Sequence, residues 1–313
     1  MPDTGFSLEP TPPFDFELTV GFQTYFGHGH GADVFEDGVF RRVMDLGNGP
    51  TLAAVRSEGT LESPRLDVRL SDNGLDAQAV GEVRRQLSWM LGINDDLTPF
   101  YRMADADSHL APLVEIFRGL HPPHTPSVFE ALVHAVLGQQ INARFARTLG
   151  GRLIETYGEK VHVDGVTYRA FPRPEALVLA GVGGLREIKL SGRKAEYIVG
   201  IATEIATGEL DLERLRSRPM EEAMEVLTGI RGVGRWTAQW LAIRAFGHPD
   251  SFPSGDLALQ RHLGKLVNNG GPMGASEAEE YSRRWAPYRS YVTVYLFAAA
   301  RSGRLDELTD AAG

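Results

Sequence analysis

The chain predicts an α+β protein, with an antiparallel-sheet unit over residues 1–105 and a mainly α-helical unit over 106–313. Three observations carry this. Short apolar runs bounded by turn residues crowd the first hundred positions. Helical stripes with capping residues fill the remainder. A glycine-rich bend within 227–245 separates two of those helices. In the first unit, Phe16 to Val20, Val39 to Leu46, Leu52 to Arg56 and Leu66 to Leu70 read as strands. Gly47-Asn48-Gly49-Pro50 and Ser71-Asp72-Asn73-Gly74 are the turn signals between them. Ala77 to Leu91 carries Val80, Val83, Leu87 and Leu91 at helical spacing.

From about 106 the pattern is helical. Ser127 and Glu130 form a capping box ahead of the stripe Phe129, Leu132, Val133, Val136 and Leu137. Gly138 ends that helix and Asn142 caps the next, so Gln139 and Gln140 fall at the junction. Further helices lie within Pro174 to Gly208. Pro219 to Leu227 leads into the bend, and Leu257 onward closes the chain.

Composition bounds the function. A length of 313 residues suits two domains or three small ones, and 42% hydrophobic with 23% charged residues gives ample core. The absence of cysteine excludes disulfides, thiolate zinc sites and a cysteine-ligated iron–sulfur cluster. No apolar signal core opens the chain, and the best apolar run, Tyr291 to Ala300, is too short to span a bilayer. A cytoplasmic protein with no membrane partner is the expectation. The net charge of −9 counts against a protein basic all over, but nucleic-acid binding needs only a local basic face. Arg231, Arg235 and Arg244 flank the bend, Arg193 and Lys194 can join them, and acids gather elsewhere at Glu221-Glu222 and Glu277 to Glu280.

The stretch Leu227 to Arg261, LTGIRGVGRWTAQWLAIRAFGHPDSFPSGDLALQR, holds the chemistry. Gly229, Gly232 and Gly234 sit where the chain bends and brings its backbone close to a ligand. The helix from Arg235 turns its unpaired N–H groups and positive dipole end toward that bend, an anion-binding geometry. Asp256 follows Pro253, Ser254 and Gly255 at the start of another helix. An aspartate there is equally what a structural N-cap looks like. A phosphate cradle followed by a placed carboxylate points to an enzyme acting on nucleic acid.

Together with Trp236-Thr237-Ala238 and the Phe252-Pro253 approach, this stretch resembles the helix-hairpin-helix DNA glycosylase superfamily, in its AlkA-type 3-methyladenine DNA glycosylase branch. The lead-in Pro12-Pro13-Phe14-Asp15-Phe16 with Gly21-Phe22 resembles the sheet domain of that branch. The resemblance implies a two-lobed helical domain with the hairpin at about 227–245 and a catalytic loop at about 250–258. Asp256 is then the catalytic carboxylate, kept ionised by the helix dipole. Gly232, Gly234, Arg235 and Thr237 grip DNA phosphates, and Gln140 fills the gap left by the flipped nucleotide. Phe22, Trp236, Trp240 and Phe297 line the base pocket, with Phe297 where a tryptophan is expected. Their ring faces would attract cationic alkylated purines such as 3-methyladenine or 7-methylguanine. The main-chain carbonyls of Thr228, Ile230 and Val233 match a monovalent-cation site, and no cofactor is required.

The implied partner is double-stranded DNA containing alkylated bases, bound by a monomer. Trp236 stands where lyase relatives carry a nucleophilic lysine, and no lysine lies between Lys194 and Lys265. Water is therefore the expected nucleophile, and a free base with an abasic site the product. The alternative is a non-catalytic helix-hairpin-helix protein that binds DNA structure; such a module has no use for a carboxylate beside phosphates. The histidine pairs His28/His30 and His121/His124 lack partners in a metal-binding pattern, and His134 reads as a core residue.

Overall fold

The computed structural model describes residues 5–27, 29–46, 49–71, 74–268 and 270–310. Its first layer is a sheet of strands β1 (Gly5–Leu8), β2 (Gly29–His30), β3 (Asp33–Glu36), β4 (Val39–Asp45), β5 (Pro50–Ser57) and β6 (Leu66–Leu70), in the order β1-β6-β5-β4-β3-β2. Every neighbouring pair is antiparallel, and Val55 faces Phe40 on one side and Val68 on the other. All three side chains are buried. The period of two puts them on one face, and a helix covers it.

Phe16 to Val20 is not the expected strand. It opens helix α1 (Phe16–Gln23), because the Asp15 side chain accepts the Leu18 N–H and caps the first turn. The alternation that mimics a strand is a helix buried on two sides. Phe16 and Val20, one turn apart, enter the sheet core, while Phe22 enters a helical core. Helix α2 (Ala77–Met90) behaves as its spacing predicts, laying Val83 and Leu87 on the sheet. Full burial of each such side chain is worth about 1.5–3 kcal/mol. The turn residues Gly47, Asn48, Asp72 and Asn73, and His28, lie outside the described residues.

Helix α3 (Thr98–Asp105) precedes the expected boundary at 105, yet it packs with α4 (Leu110–Ile116) into a helical core. The chain then builds a lobe from α5 (Val128–Gly138), α6 (Ala143–Tyr157), α7 (Pro174–Glu187), α8 (Gly192–Ala206), α9 (Met220–Gly229) and α10 (Arg235–Arg244) around Leu132, Leu153, Ile198 and Leu241. It returns through α11 (Leu257–Val267), α12 (Ala275–Ser282), α13 (Arg289–Ser302) and α14 (Arg304–Asp310) to complete the lobe begun by α3 and α4, around Phe100, Leu263, Trp285 and Tyr295. The helical unit is interrupted once by a hairpin, β7 (Lys160–Val163) and β8 (Val166–Arg169), joined by Asp164-Gly165. Both turn residues have positive φ, 50° and 79°, as a two-residue hairpin turn requires. Its Val161, Val163 and Tyr168 pack with Val43 and Leu52 of the sheet.

Candidate active site

The bend between α9 and α10 is a tight turn, closed by the Val233 N–H donating to the Ile230 carbonyl at 3.0 Å. Its glycines do different work. Gly232 has φ +92°, and a Cβ there would sit 2.4 Å from the Tyr197 ring, so the fold itself demands glycine. Gly234 has ordinary extended backbone and open space where a Cβ would be. Gly229 simply ends α9. Of the three, only Gly232 needs the positive φ expected of all. Gly234 is the N-cap of α10 and offers no side chain, so the first-turn N–H groups of Arg235, Trp236 and Thr237 have no side-chain cap. Arg231 and Arg235 are exposed at this helix end, with Arg231 placed 3.4 Å from Glu196, and Arg193 is exposed in the first turn of α8. Arg244 is not part of that face. It lies at the far end of α10, turned inward against the Gln23 side chain.

Asp256 is held from four directions. Oδ1 accepts the Ala258 and Leu259 N–H groups at 2.8 and 3.0 Å, capping α11. Oδ2 accepts the indole N–H groups of Trp236 and Trp240 at 2.9 and 3.1 Å. One carboxylate oxygen caps the helix and the other is held by the two indoles. Its loop is bolted from below. Arg289 grips Asp250 with two parallel bonds of 2.7 and 2.9 Å, Ser251 exchanges hydrogen bonds with Ser290, and Gln239 and Gln260 donate to the Phe252 and Ser254 carbonyls.

The four aromatic residues differ in exposure. Phe22 is 1% exposed and Phe297 9%. Trp236 and Trp240 are half-buried, so the aromatic surface open beside the carboxylate is theirs. Trp240 meets Phe297 edge-on at 5.2 Å. Sequence reading missed Arg301, whose guanidinium lies 4.3 Å from the Phe22 ring centre, 3.9 Å from that of Tyr25 and 5.4 Å from that of Phe297. Burial pushes Arg301 below the usual arginine range. A signal existed: Arg301 stands one turn after Phe297 on the apolar face of α13. His262 packs edge-on against Phe297, and burial pushes its pKa down to about 4.

Gln139 and Gln140 lie at the junction of α5 and α6, as their spacing predicts. Gln140 is exposed with φ 57°; Gln139 reaches the hairpin. Among the described residues no group of three His, Cys, Asp or Glu could hold a metal ion. His121 instead points its ring nitrogens at the Gly92 and Pro13 carbonyls, and His124 stacks on Trp89. A cleft of about 540 Å³ opens elsewhere, between the sheet unit and the α5–α10 lobe, lined by Arg42, Phe129, Phe171 and Arg173. No described helix is long and apolar enough to cross a membrane.

A tight hairpin leading into a helix with an uncapped N-terminus, and a carboxylate held by the indoles of that helix, together define a helix-hairpin-helix architecture. Comparison with known proteins sharpens the class. Residues 133–287 match the HhH-GPD superfamily of base excision DNA repair proteins. A DNA-3-methyladenine glycosylase of Bacillus subtilis is 37% identical over 216 residues, covering 69% of this chain and 71% of the relative. DNA-3-methyladenine glycosylase 2 of Escherichia coli is 31% identical over 180 residues, 57% of this chain and 60% of its own. The solved 3-methyladenine DNA-glycosylase of Archaeoglobus fulgidus shares 32% identity over 95% of this chain and 98% of its own, with a TM-score of 0.85. The chain belongs to the HhH-GPD superfamily of base excision DNA repair proteins. An 8-oxoguanine glycosylase/lyase of Clostridium acetobutylicum, at 18% identity and a TM-score of 0.74, shares the fold.

Proposed function

We propose that the protein is a monofunctional DNA glycosylase that removes alkylated bases, 3-methyladenine foremost and 7-methylguanine with it, from double-stranded DNA. The observation that carries the reading is the Asp256 carboxylate, fixed by two indoles and two backbone amides at the head of α11. The glycosidic C1′–N bond breaks with its electron pair leaving on the base, and C1′ becomes oxocarbenium-like. A fixed anion stabilises that charge as it develops. Four N–H donors already occupy the roughly four acceptor positions of the carboxylate, so Asp256 acts foremost as a placed charge. Water then adds its oxygen to C1′ and releases a proton, leaving a free base and an abasic site. Trp236 and Trp240 hold the carboxylate by their N–H edges and offer their faces to the base. No lysine donates to Asp256 among the described residues, in keeping with water as the nucleophile.

DNA is held at the N-terminus of α10, through the N–H groups around Gly234, Arg235 and Thr237, with Gly232 shaping the turn. The carbonyls of Thr228 and Ile230 at the negative end of α9, with that of Val233 across the turn, would offer neutral oxygens to a hard monovalent cation. Such an ion would add positive charge beside the phosphates. Gln140 enters the gap left by the flipped nucleotide. Every group used comes from one chain, so a monomer suffices for this chemistry. The test is base release from methylated duplex DNA by the native chain and by Asp256→Asn. Release of 3-methyladenine that disappears in the variant, with DNA binding retained, supports the reading. DNA binding without release from any alkylated substrate turns the protein into a structure-binding module. Release that survives the substitution removes Asp256 from the chemistry.

A further inference from the structure

The turn between α5 and α6 is anchored from two sides. Lys194 on α8 donates through Nζ to the Leu137 carbonyl at 2.6 Å, at the C-terminal end of α5 where orphan carbonyls favour a cation. Gln139 supplies the other anchor. Its Nε2 donates to the Gly232 carbonyl at 2.9 Å and to Thr237 Oγ1 at 3.2 Å. Both amide hydrogens are used, one on the bend and one on the first turn of α10. The bend cannot relax away, because Gly232 is fixed in a left-handed conformation against the Tyr197 ring. Gln140, the next residue, is left exposed at φ 57°, a conformation that a non-glycine residue holds only when its surroundings impose it.

We propose that Gln139 is a positioning residue that joins the hairpin and the α5–α6 turn into one rigid unit, so that gripping a phosphate at the head of α10 sets how deeply Gln140 enters the duplex. This rests on the reading of Gln140 as the wedge. Gln139 itself touches no substrate; it acts through its neighbour. The side-chain chemistry fits the task. A neutral amide donates twice from one atom, and serine or threonine would be too short to span the gap. Glutamate keeps the shape but sets an acceptor against the Gly232 carbonyl, while the Thr237 hydroxyl can turn to donate to it, so the link to the bend is the one that breaks.

The probe is a duplex with a tetrahydrofuran abasic site flanked by 2-aminopurine, whose fluorescence rises when a wedge unstacks it. It is read beside single-turnover base release from methylated DNA. Gln139→Ala and Gln139→Glu are expected to keep affinity for undamaged duplex within about twofold, lose most of the fluorescence rise and slow base release about tenfold. Lowering the pH from about 8 toward the ordinary glutamate value of about 4.3 protonates a growing fraction of the side chain and restores a donor. The rate of Gln139→Glu relative to the native chain should therefore climb, a recovery that misfolding would not show. Unstacking lost in Gln140→Ala but intact in both Gln139 variants overturns the coupling alone. Unstacking that survives Gln140→Ala overturns the wedge reading, and the proposal with it. A parallel fall in undamaged-duplex affinity and melting temperature, with no recovery at low pH, reduces Gln139 to an ordinary packing residue.

Discussion

The hairpin and the carboxylate loop meet at Trp236, yet they are built by opposite means. The hairpin presents main chain: a turn fixed by Gly232, an N-cap without a side chain at Gly234, and uncapped N–H groups beyond it. The loop presents one side chain and spends many others holding it, from Arg289 on Asp250 to the two indoles on Asp256. A phosphate is a diffuse anion that every nucleotide repeats, and backbone dipoles suffice for it. Charge developing on one sugar carbon would need a carboxylate at a set place, and Asp256 is held at one by four hydrogen bonds.

The largest effect should come from the loop. Asp256→Asn is expected to slow base release by roughly 10²- to 10³-fold. Oδ1 still accepts from Ala258 and Leu259, but the new amide nitrogen faces the two indole N–H donors, so some fall in melting temperature is expected, and duplex binding retained by the variant separates a lost carboxylate from a lost fold.

The hairpin glycines test the other half of the comparison. Gly232→Ala should destabilise the fold by about 1–2 kcal/mol for the left-handed backbone alone, with the Tyr197 clash in addition. Gly234→Ala meets no neighbour and should melt like the native chain while binding duplex DNA several-fold more weakly. Equal melting losses in the two variants, by calorimetry, would erase the distinction between a glycine the fold needs and one the ligand needs.

Trp240→Phe keeps a ring and removes one N–H from Asp256 Oδ2. A hydrogen bond to a charged group contributes about 1.5–3 kcal/mol. Base release should therefore slow by about tenfold, with DNA affinity unchanged. An equal loss of affinity would move Trp240 from holding the carboxylate to holding DNA.

Ionic strength probes the hairpin from outside. With Arg193, Arg231 and Arg235 exposed on a chain of net charge −9, roughly three phosphates are neutralised, and log affinity should fall with log salt at a slope near −3. A slope of −7 or steeper would require a basic face that the hairpin does not supply.

The smallest effect is on pH. Burial and the neighbouring Arg261 hold His262 neutral in the folded protein, down to about pH 4, while the unfolded chain takes up its proton near 6.5. The folded state thus loses stability as pH falls from about 6.5 toward 4. His262→Gln should flatten that slope in thermal melts, and an unchanged slope would place the titration elsewhere.

Sequence by itself determined much of this protein. The caps at Ser127, Asn142 and Asp256, the stripe of α2, the Gly-Val-Gly bend and the aspartate after it are local signals, each set by backbone groups within a few residues. The strand pair β7–β8 went unread in a stretch expected to be helical, although Asp164-Gly165 between valines is a hairpin signal. What tertiary structure decided is wherever a side chain chooses between a near partner and a far one. Phe16 to Val20 alternates like a strand, but burial against two cores makes it a helix. Glu130 sits where a capping box would turn it back to Ser127, yet its carboxylate accepts from Arg42 at 2.6 Å, far away in sequence. The indoles of Trp236 and Trp240 read as pocket walls, and only the folded chain shows their N–H groups fixing Asp256. Arg301 carries only the weak signal of its spacing from Phe297, and Gln139 carries none, because most of their partners are distant in sequence. Backbone hydrogen bonding is short-ranged in sequence, whereas a buried polar side chain must be satisfied by whatever the fold brings near.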